Sequence, residues 1–366
     1  MMTVCPISFF RQLHPLAEFS GKEVNTARFI AETLESMGVE TRSGVGGTGV
    51  VATIRGQEPG PVVLFRADMD ALPYSTPDGG VVAIHACGHD THCAMLLAAV
   101  PQLKDIVKRG TLKVVFQPGE ENLTGALAMI EAGVGEDVDI AIAGHIRAAQ
   151  DLAPGKICAQ INHVACTTHI VTIEGRPVHA SRPHQGINPV DVAANMIVAL
   201  NGMRIDPNES WSIKATRIQS EPGATNTLAA WTKVMLDLRA ETNSGLAEMV
   251  AKLESIAKHT AEAYGTTAKV ELIEECPASE YDPAMVALVK TTIAEEFGAE
   301  NVVDACSGGG EDFHFFKTKK PSTQTAYFGI GVGATPGLHD RNMTLDEKYL
   351  VNGTTMWVAL AKKLLG

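Results

Sequence analysis

The stretch His85-Ala-Cys87-Gly-His89-Asp90-Thr-His92 holds five groups able to bind a metal ion, or to orient its ligands, within eight residues. A thiolate and imidazoles suit zinc and other borderline first-row cations. A His-rich loop can be inert, but this cluster is not alone. Asp68 and Asp70 follow an apolar run at 61–67, and Glu120 and Glu121 follow another at 112–116 through Gln-Pro-Gly. His145 follows a third run at 140–143, and Glu311, Asp312 and His339 come later. Chance solvation accounts for any one of these and poorly for all of them. The adjacent glutamates suggest a division of labour. One carboxylate binds metal; the other takes a proton from bound water, whose pKa a cation lowers from about 15.7 to about 7, and returns it to a leaving amine. The plain alternative is that Glu120-Glu121 opens a helix, where acids favour the dipole.

Such ligands need backbone that turns toward a common point, as it does at the carboxyl ends of parallel strands. The apolar runs at 50–54, 61–67, 112–116 and 140–143 read as strands. Helical spacing appears at 23–37, where Val24, Ala27, Ile30, Ala31 and Leu34 share a face, and again at 90–108 and 124–132. This alternation predicts an α/β fold with a mostly parallel sheet sandwiched by helices. The middle differs. Strand (169–174), helix (188–201), strand (211–217), strand (228–239), helix (243–264) and strand (268–273) make a compact α+β set of split βαβ character. The expected organisation is a catalytic domain of residues 1–163 and 276–366, interrupted by a smaller ferredoxin-like α+β domain at 164–275. One continuous domain is the alternative.

The chain has 366 residues and is 45% hydrophobic, enough for a sizeable core. Its 42 acidic and 30 basic side chains give a net charge of −12, which repels nucleic-acid phosphates and anionic lipid. Neither nucleic acid nor membrane is an expected partner. No apolar run reaches the roughly 18–20 residues that cross a bilayer, and residues 1–11 lack the pattern of a secretory signal. The seven cysteines are scattered and odd in number, unlike a disulfide framework. A reducing, cytoplasmic location is expected. Six of the seven read as small buried apolar side chains, Cys87 being the exception.

Five segments together are similar to one family: Arg-Ala-Asp-Met-Asp-Ala-Leu-Pro (66–73), His-Ala-Cys-Gly-His-Asp-Thr-His (85–92), Phe-Gln-Pro-Gly-Glu-Glu (116–121), Gly-Glu-Asp-Phe (310–313) and Leu-His (338–339). They resemble the metal-dependent aminoacylase/carboxypeptidase amidohydrolases of the zinc-exopeptidase superfamily. That family includes hippurate hydrolases, auxin–amino acid conjugate hydrolases, N-acyl-amino-acid deacylases and aminobenzoyl-glutamate hydrolases. The similarity runs from about Arg11 to the C-terminus. It implies hydrolysis of the amide bond of a small N-acyl amino acid, releasing acyl acid and amino acid, with two divalent ions (zinc, manganese, nickel or cobalt). The implied ligands are Cys87, His89, Glu121, His145 and His339, with Cys87 where related peptidases place a bridging aspartate. Glu120 resembles the general base, and Asp70 an acid that orients a ligand imidazole. The resemblance also implies a homodimer or higher homo-oligomer through the inserted domain. His179 resembles a residue that steadies the oxyanion in a partner's site, while Asn226 and Arg239 resemble residues that hold the substrate α-carboxylate. For Arg239 a surface ion pair is the alternative; for His85 and His92 it is packing.

Some residues depart from the family pattern. Tyr74-Ser75-Thr76 stand where an acid is usual, in a short loop at 74–84. Pro101 should kink or end the helix after His92. Arg147 replaces part of a Pro-containing segment after His145 and is a candidate contact for an anionic substrate. A dipeptidase or carboxypeptidase, a non-catalytic binding descendant and a thiol redox enzyme using Cys87 or Cys93 are the rival readings.

Overall fold

A computed structural model describes residues 5–366 of the chain. The reading of residues 1–11 therefore lies partly outside the described residues. In chain order the strands are β1 Glu40–Val45, β2 Gly49–Arg55, β3 Glu58–Asp68, β4 Leu72–Ser75, β5 Val81–Ile84, β6 Arg109–Gln117, β7 Ile140–Ala148, β8 Ile157–Asn162, β9 Ala165–Glu174, β10 Trp211–Ser220, β11 Trp231–Ala240, β12 Ala268–Cys276, β13 Val302–Ser307 and β14 Gln324–Ala334. The α-helices are α1 Pro6–Leu13, α2 Val24–Ser36, α3 His89–Ile106, α4 Gly125–Glu131, α5 Pro189–Asn201, α6 Asn243–Ala263, α7 Pro283–Phe297, α8 Phe315–Lys319 and α9 Leu350–Leu365.

The chain forms two compact units, one of residues up to Asn162 together with Glu280–Gly366, the other His163–Ser279. The first is built on an eight-stranded sheet of order β1-β2-β6-β3-β7-β14-β8-β13. Its centre is parallel: β3 pairs with β6 and β7, and β7 with β14. Every residue of β7 is buried, which is why its sequence is a continuous apolar run rather than an alternating one. Alternate side chains feed two cores. Ile140, Ile142 and Ile146 join Phe65, Phe328 and Trp357 on one face, whereas Ala141 and Ala143 join Phe313 and Phe316 on the other.

The second unit is a four-stranded antiparallel sheet, order β10-β11-β9-β12, threaded as βαββαβ. Helices α5 and α6 bury Val192, Met196, Met249 and Leu253 against Val171 and Ile173 of β9. This is the ferredoxin-like arrangement. The unit spans His163–Ser279, and at its limits the Ser279 N–H donates to the His163 carbonyl at 3.1 Å.

Three local expectations change. Helix α3 runs through Pro101 to Ile106, held by a circumference buried almost throughout from His89 to Val100. The segment 74–84 is not an open loop but part of a hairpin, with Tyr74 opposite Val82. Strand β7 continues past residue 143, so His145 lies within it and not after it.

Candidate metal centre

Turns at the carboxyl ends of β3 and β6, the second half of β7 and the start of α3 supply the chemistry. Gly88, between Cys87 and His89, has φ +85°, and a Cβ there would lie 2.3 Å from Ile146 Cδ1. Only glycine takes that conformation and that contact without strain. At Gly125 a Cβ would fall 1.5 Å from the Pro118 carbonyl, so the start of α4 is pressed onto the turn that precedes Glu120. Buried Glu23 fixes the same turn by accepting the Gly119 N–H at 2.9 Å.

The five side chains Cys87, His89, Glu121, His145 and His339 come together. Ligand atoms of Cys87, His89 and Glu121 all lie within 4.8 Å of one another. Cys87 Sγ is 3.4 Å from His145 Nε2, and His339 Nε2 is 3.7 Å from Glu121 Oε1. Cys87 thus adjoins both halves of the group. His339 has φ +65°, costly for a non-glycine residue and found mainly where surroundings impose it. Its N–H donates to the Ala86 carbonyl at 2.7 Å, and its carbonyl accepts from Tyr74 Oη at 2.6 Å. Tyr74 thereby pins the backbone that carries His339.

The imidazoles are oriented from behind. His89 Nδ1 donates to Asp70 at 3.1 Å, and Asp70 also accepts from Ser20 Oγ (2.6 Å) and the Glu121 N–H (2.9 Å). His145 Nδ1 donates to the Ile146 carbonyl at 2.5 Å. Each ring therefore turns Nε2 inward, as ligand histidines with an anchored second nitrogen do. His92 is different. Its Nε2 accepts the Ile146 N–H at 3.0 Å, so the proton is on Nδ1, which donates to Asp68 at 2.5 Å. Both nitrogens are committed, and His92 orients its neighbours. His85 is buried with neither ring nitrogen hydrogen-bonded among the described residues, its ring 6.2 Å from that of His14.

These inward groups fit a divalent cation. Among the described residues, buried His89 Nε2 and Glu121 Oε1 have no hydrogen-bond partner, although each faces other acceptors: His89 Nε2 lies 3.8 Å from Asp68, Glu120 and Glu121 oxygens. Buried acceptors turned toward one another call for positive charge between them. Burial disfavours a proton on His89, yet Asp68 and Cys87 hold its pKa well above the usual range, and the same field favours a cation. Burial pushes Glu121 up to about 7 and raises the Cys87 thiol, both opposed by His89. Metal binding reverses such shifts by replacing the proton. The set of one sulfur, three imidazole nitrogens and a carboxylate suits borderline first-row metals.

Behind Glu120 lies a buried polar group centred on Arg66, which is 1% exposed. Its guanidinium donates to Asp68 (2.7 Å), Glu311 (3.0 Å), Asp312 (3.0 Å) and Gln117 Oε1 (3.0 Å). Burial, then the charge of Glu311, hold the Glu120 pKa well above the carboxylate range. A buried, inward-facing carboxylate with a raised pKa is suited to proton transfer near neutrality.

The model of Peptidase family M20/M25/M40 matches residues 64–363. The chain belongs to this family. It is 32% identical to Thermostable carboxypeptidase 1 of Saccharolobus solfataricus, over 98% of this chain and 94% of the relative. It is 30% identical to N-acetyl-L-cysteine deacetylase of Bacillus subtilis, over 98% and 88%. The crystal structure of a Bacillus subtilis dinuclear metal binding peptidase from the M20 family superposes with a TM-score of 0.82 at 28% identity, covering 98% of this chain and 97% of that one. As a member of the M20/M25/M40 family, the protein is a metal-dependent hydrolase of amide bonds.

The second unit of this M20/M25/M40 hydrolase brings His179 and Asn226 together. The Ser181 N–H and Oγ lie 3.2 and 2.7 Å from His179 Nδ1, and the Asn226 amide lies 3.3 Å from Nε2. Arg239 is paired with Asp237 through two contacts of 3.0 and 3.3 Å, the surface ion pair that sequence left open. In the first unit, Arg147 donates to the Ser307 carbonyl (2.5 Å) and Asp151 (3.1 Å), so its charge is answered within the chain. Sequence reading missed Ser20, Glu23 and Arg66 as site-building residues. Only Arg66, a charge inside an apolar run, carried a signal.

Proposed function

We propose that the protein removes the acyl group from a small N-acyl amino acid, with Cys87, His89, Glu121, His145 and His339 holding two divalent cations and Glu120 as general base. The observation that carries this reading is a gathering of five ligand side chains in which His89 Nε2 and Glu121 Oε1 find no hydrogen-bond partner among the described residues, with Glu120 at its edge. Cations held there supply Lewis acidity toward the amide carbonyl and acidify water. Glu120 takes the proton at its carboxylate and passes it to the leaving nitrogen. Asp70 keeps His89 Nε2 turned inward, and His92 with Asp68 supports the Ile146 peptide that anchors His145. Zinc, manganese, nickel and cobalt all suit the donor set.

His179, from the second unit of a partner copy, steadies the developing oxyanion, and Asn226 and Arg239 hold the α-carboxylate; Arg239 then shares its planar fork between substrate and Asp237. The working form is a homodimer through the second unit. The free thiols support a reducing, cytoplasmic location, and among the described residues no helix is long and apolar enough to cross a membrane.

Glu120→Gln tests the base. The variant keeps its metal content by elemental analysis and loses about 10²–10⁴-fold in hydrolysis of acetyl or benzoyl amino acids; retained turnover removes Glu120 from the role. The carboxypeptidase reading has support in the name of the Saccharolobus solfataricus relative. A kcat/KM that favours free-amine dipeptides over their N-acetyl counterparts would select it.

A further inference from the structure

We propose that Cys166 and Cys276 form an oxidative modification site, in which Cys166 reacts with a hydroperoxide and Cys276 resolves the product to a disulfide. In the second unit β9 and β12 run antiparallel, and Cys276 lies directly opposite Cys166. Opposed residues of an antiparallel ladder have Cα atoms about 4.5 or about 5.5 Å apart. Both separations fall within the roughly 4.4–6.8 Å that a disulfide spans. The two side chains leave the sheet on the same face, and the Cys276 thiol donates to the Pro277 carbonyl at 3.9 Å. Cys158 and Cys306 lie on adjacent strands, but their partners in register are Val303 and Ile161, so they are not opposed in this way.

The setting divides the roles. Along β9 the side chains of Ala165, Val171 and Ile173 are buried, while Cys166, Thr168 and Ile170 are half-exposed. Cys166 is thus on the face that α5 and α6 leave open, and Cys276 is 1% exposed beside it. From the other side Arg239 of β11 directly opposes Cys166, so a row of cation, thiol and thiol crosses three strands. The neighbouring Cys276 thiol, then Arg239, hold the Cys166 thiol below its usual range against burial, Asp237 and Glu274. The thiolate is the nucleophilic form. Burial instead raises the thiols of Cys87 and Cys93.

The chemistry balances with a hydroperoxide as oxidant. The Cys166 thiolate attacks the terminal peroxide oxygen and breaks the O–O bond, giving a sulfenic acid and an alkoxide or hydroxide that takes up a proton. Cys276 sulfur then attacks the sulfenic sulfur and expels hydroxide, which leaves as water. Two thiols lose two electrons, and the O–O bond gains them. The disulfide would tie together the strands by which the chain enters and leaves the second unit. The step involves none of the metal-centre residues and shares only Arg239 with the hydrolase reading, and its test reads thiols and not hydrolysis, so the two can fail separately.

The test uses the reduced full-length protein, limiting hydrogen peroxide, alkylation by iodoacetamide and peptide mass mapping. The expected result is a Cys166–Cys276 linked peptide, with Cys166 losing alkylation at least about tenfold faster than exposed Cys5. In Cys276→Ser, Cys166 accumulates as a sulfenic acid trapped by dimedone. The proposal is overturned if both thiols stay alkylatable after Cys5 is oxidised, or if Cys166 is oxidised in the wild type without linkage to Cys276.

Discussion

Replacing Arg66 by Met asks how much one cation holds the site together. The guanidinium is 1% exposed and donates to three carboxylates, Asp68, Glu311 and Asp312, which are themselves no more than 2% exposed. Methionine fills comparable length and removes every one of these donors. Breaking a buried ion pair from one side costs about 3–5 kcal/mol, because the remaining charge is uncompensated. For a unit of roughly 250 residues, each kcal/mol lowers the melting temperature by about 2–4 °C. The expected drop is therefore about 6–20 °C. The sign of its pH dependence follows from linkage. Buried carboxylates deprived of their cation have folded pKa values above the unfolded ones, which favours the folded state at low pH. Burial already pushes Asp312 up to about 8 with Arg66 in place. The deficit is thus largest above pH 8 and narrows as the pH falls through neutrality. Arg66→Lys, which keeps the charge and loses the fork, recovers part of it. Calorimetry of metal-free wild type and variants between pH 5 and 9 measures this. A variant melting within about 2 °C of wild type at pH 8, or a deficit that grows on acidification, refutes the reasoning.

Asp70→Ala removes the acceptor of His89 Nδ1 and should weaken metal binding about 10–100-fold, read by competition with a chromophoric chelator; unchanged affinity would show that His89 needs no such support. His14→Ala removes the 2.6 Å contact to Asp90 and should cost about 1 kcal/mol, since His14 is half-exposed and solvent screens the pair. The Asp90 hydrogen bond raises the His14 pKa despite burial, so that contribution is full below the ordinary imidazole value and fades as pH rises through the raised one. For Asp90, burial is outweighed by His85 and His14, which lower its pKa; its contribution is present above the usual carboxylate value and fades below it. The gap between wild type and variant in melting temperature should peak near pH 5–6 and shrink by pH 8; a gap constant across that range would show a contact of packing alone.

Much of this protein was legible in its residues. Continuous apolar runs at β3, β6 and β7 declared strands buried on both faces, and potential ligands after those runs declared a shared edge. The βαββαβ set declared its own antiparallel unit. These features are local: period and turn chemistry act over a few neighbours. Which nitrogen of each histidine faces inward was not legible, because it depends on a distant acceptor. Asp70 decides for His89 across 19 positions, and a backbone N–H occupies His92 across 54. The same holds for Arg66, whose partners Glu311 and Asp312 are 245 and 246 positions away. Cys166 and Cys276 read as unrelated small side chains until strand register set them face to face. Sequence by itself determined which groups the protein owns and which elements carry them. Tertiary structure alone decided their partners, since hydrogen bonding and desolvation depend on distance in space and not along the chain.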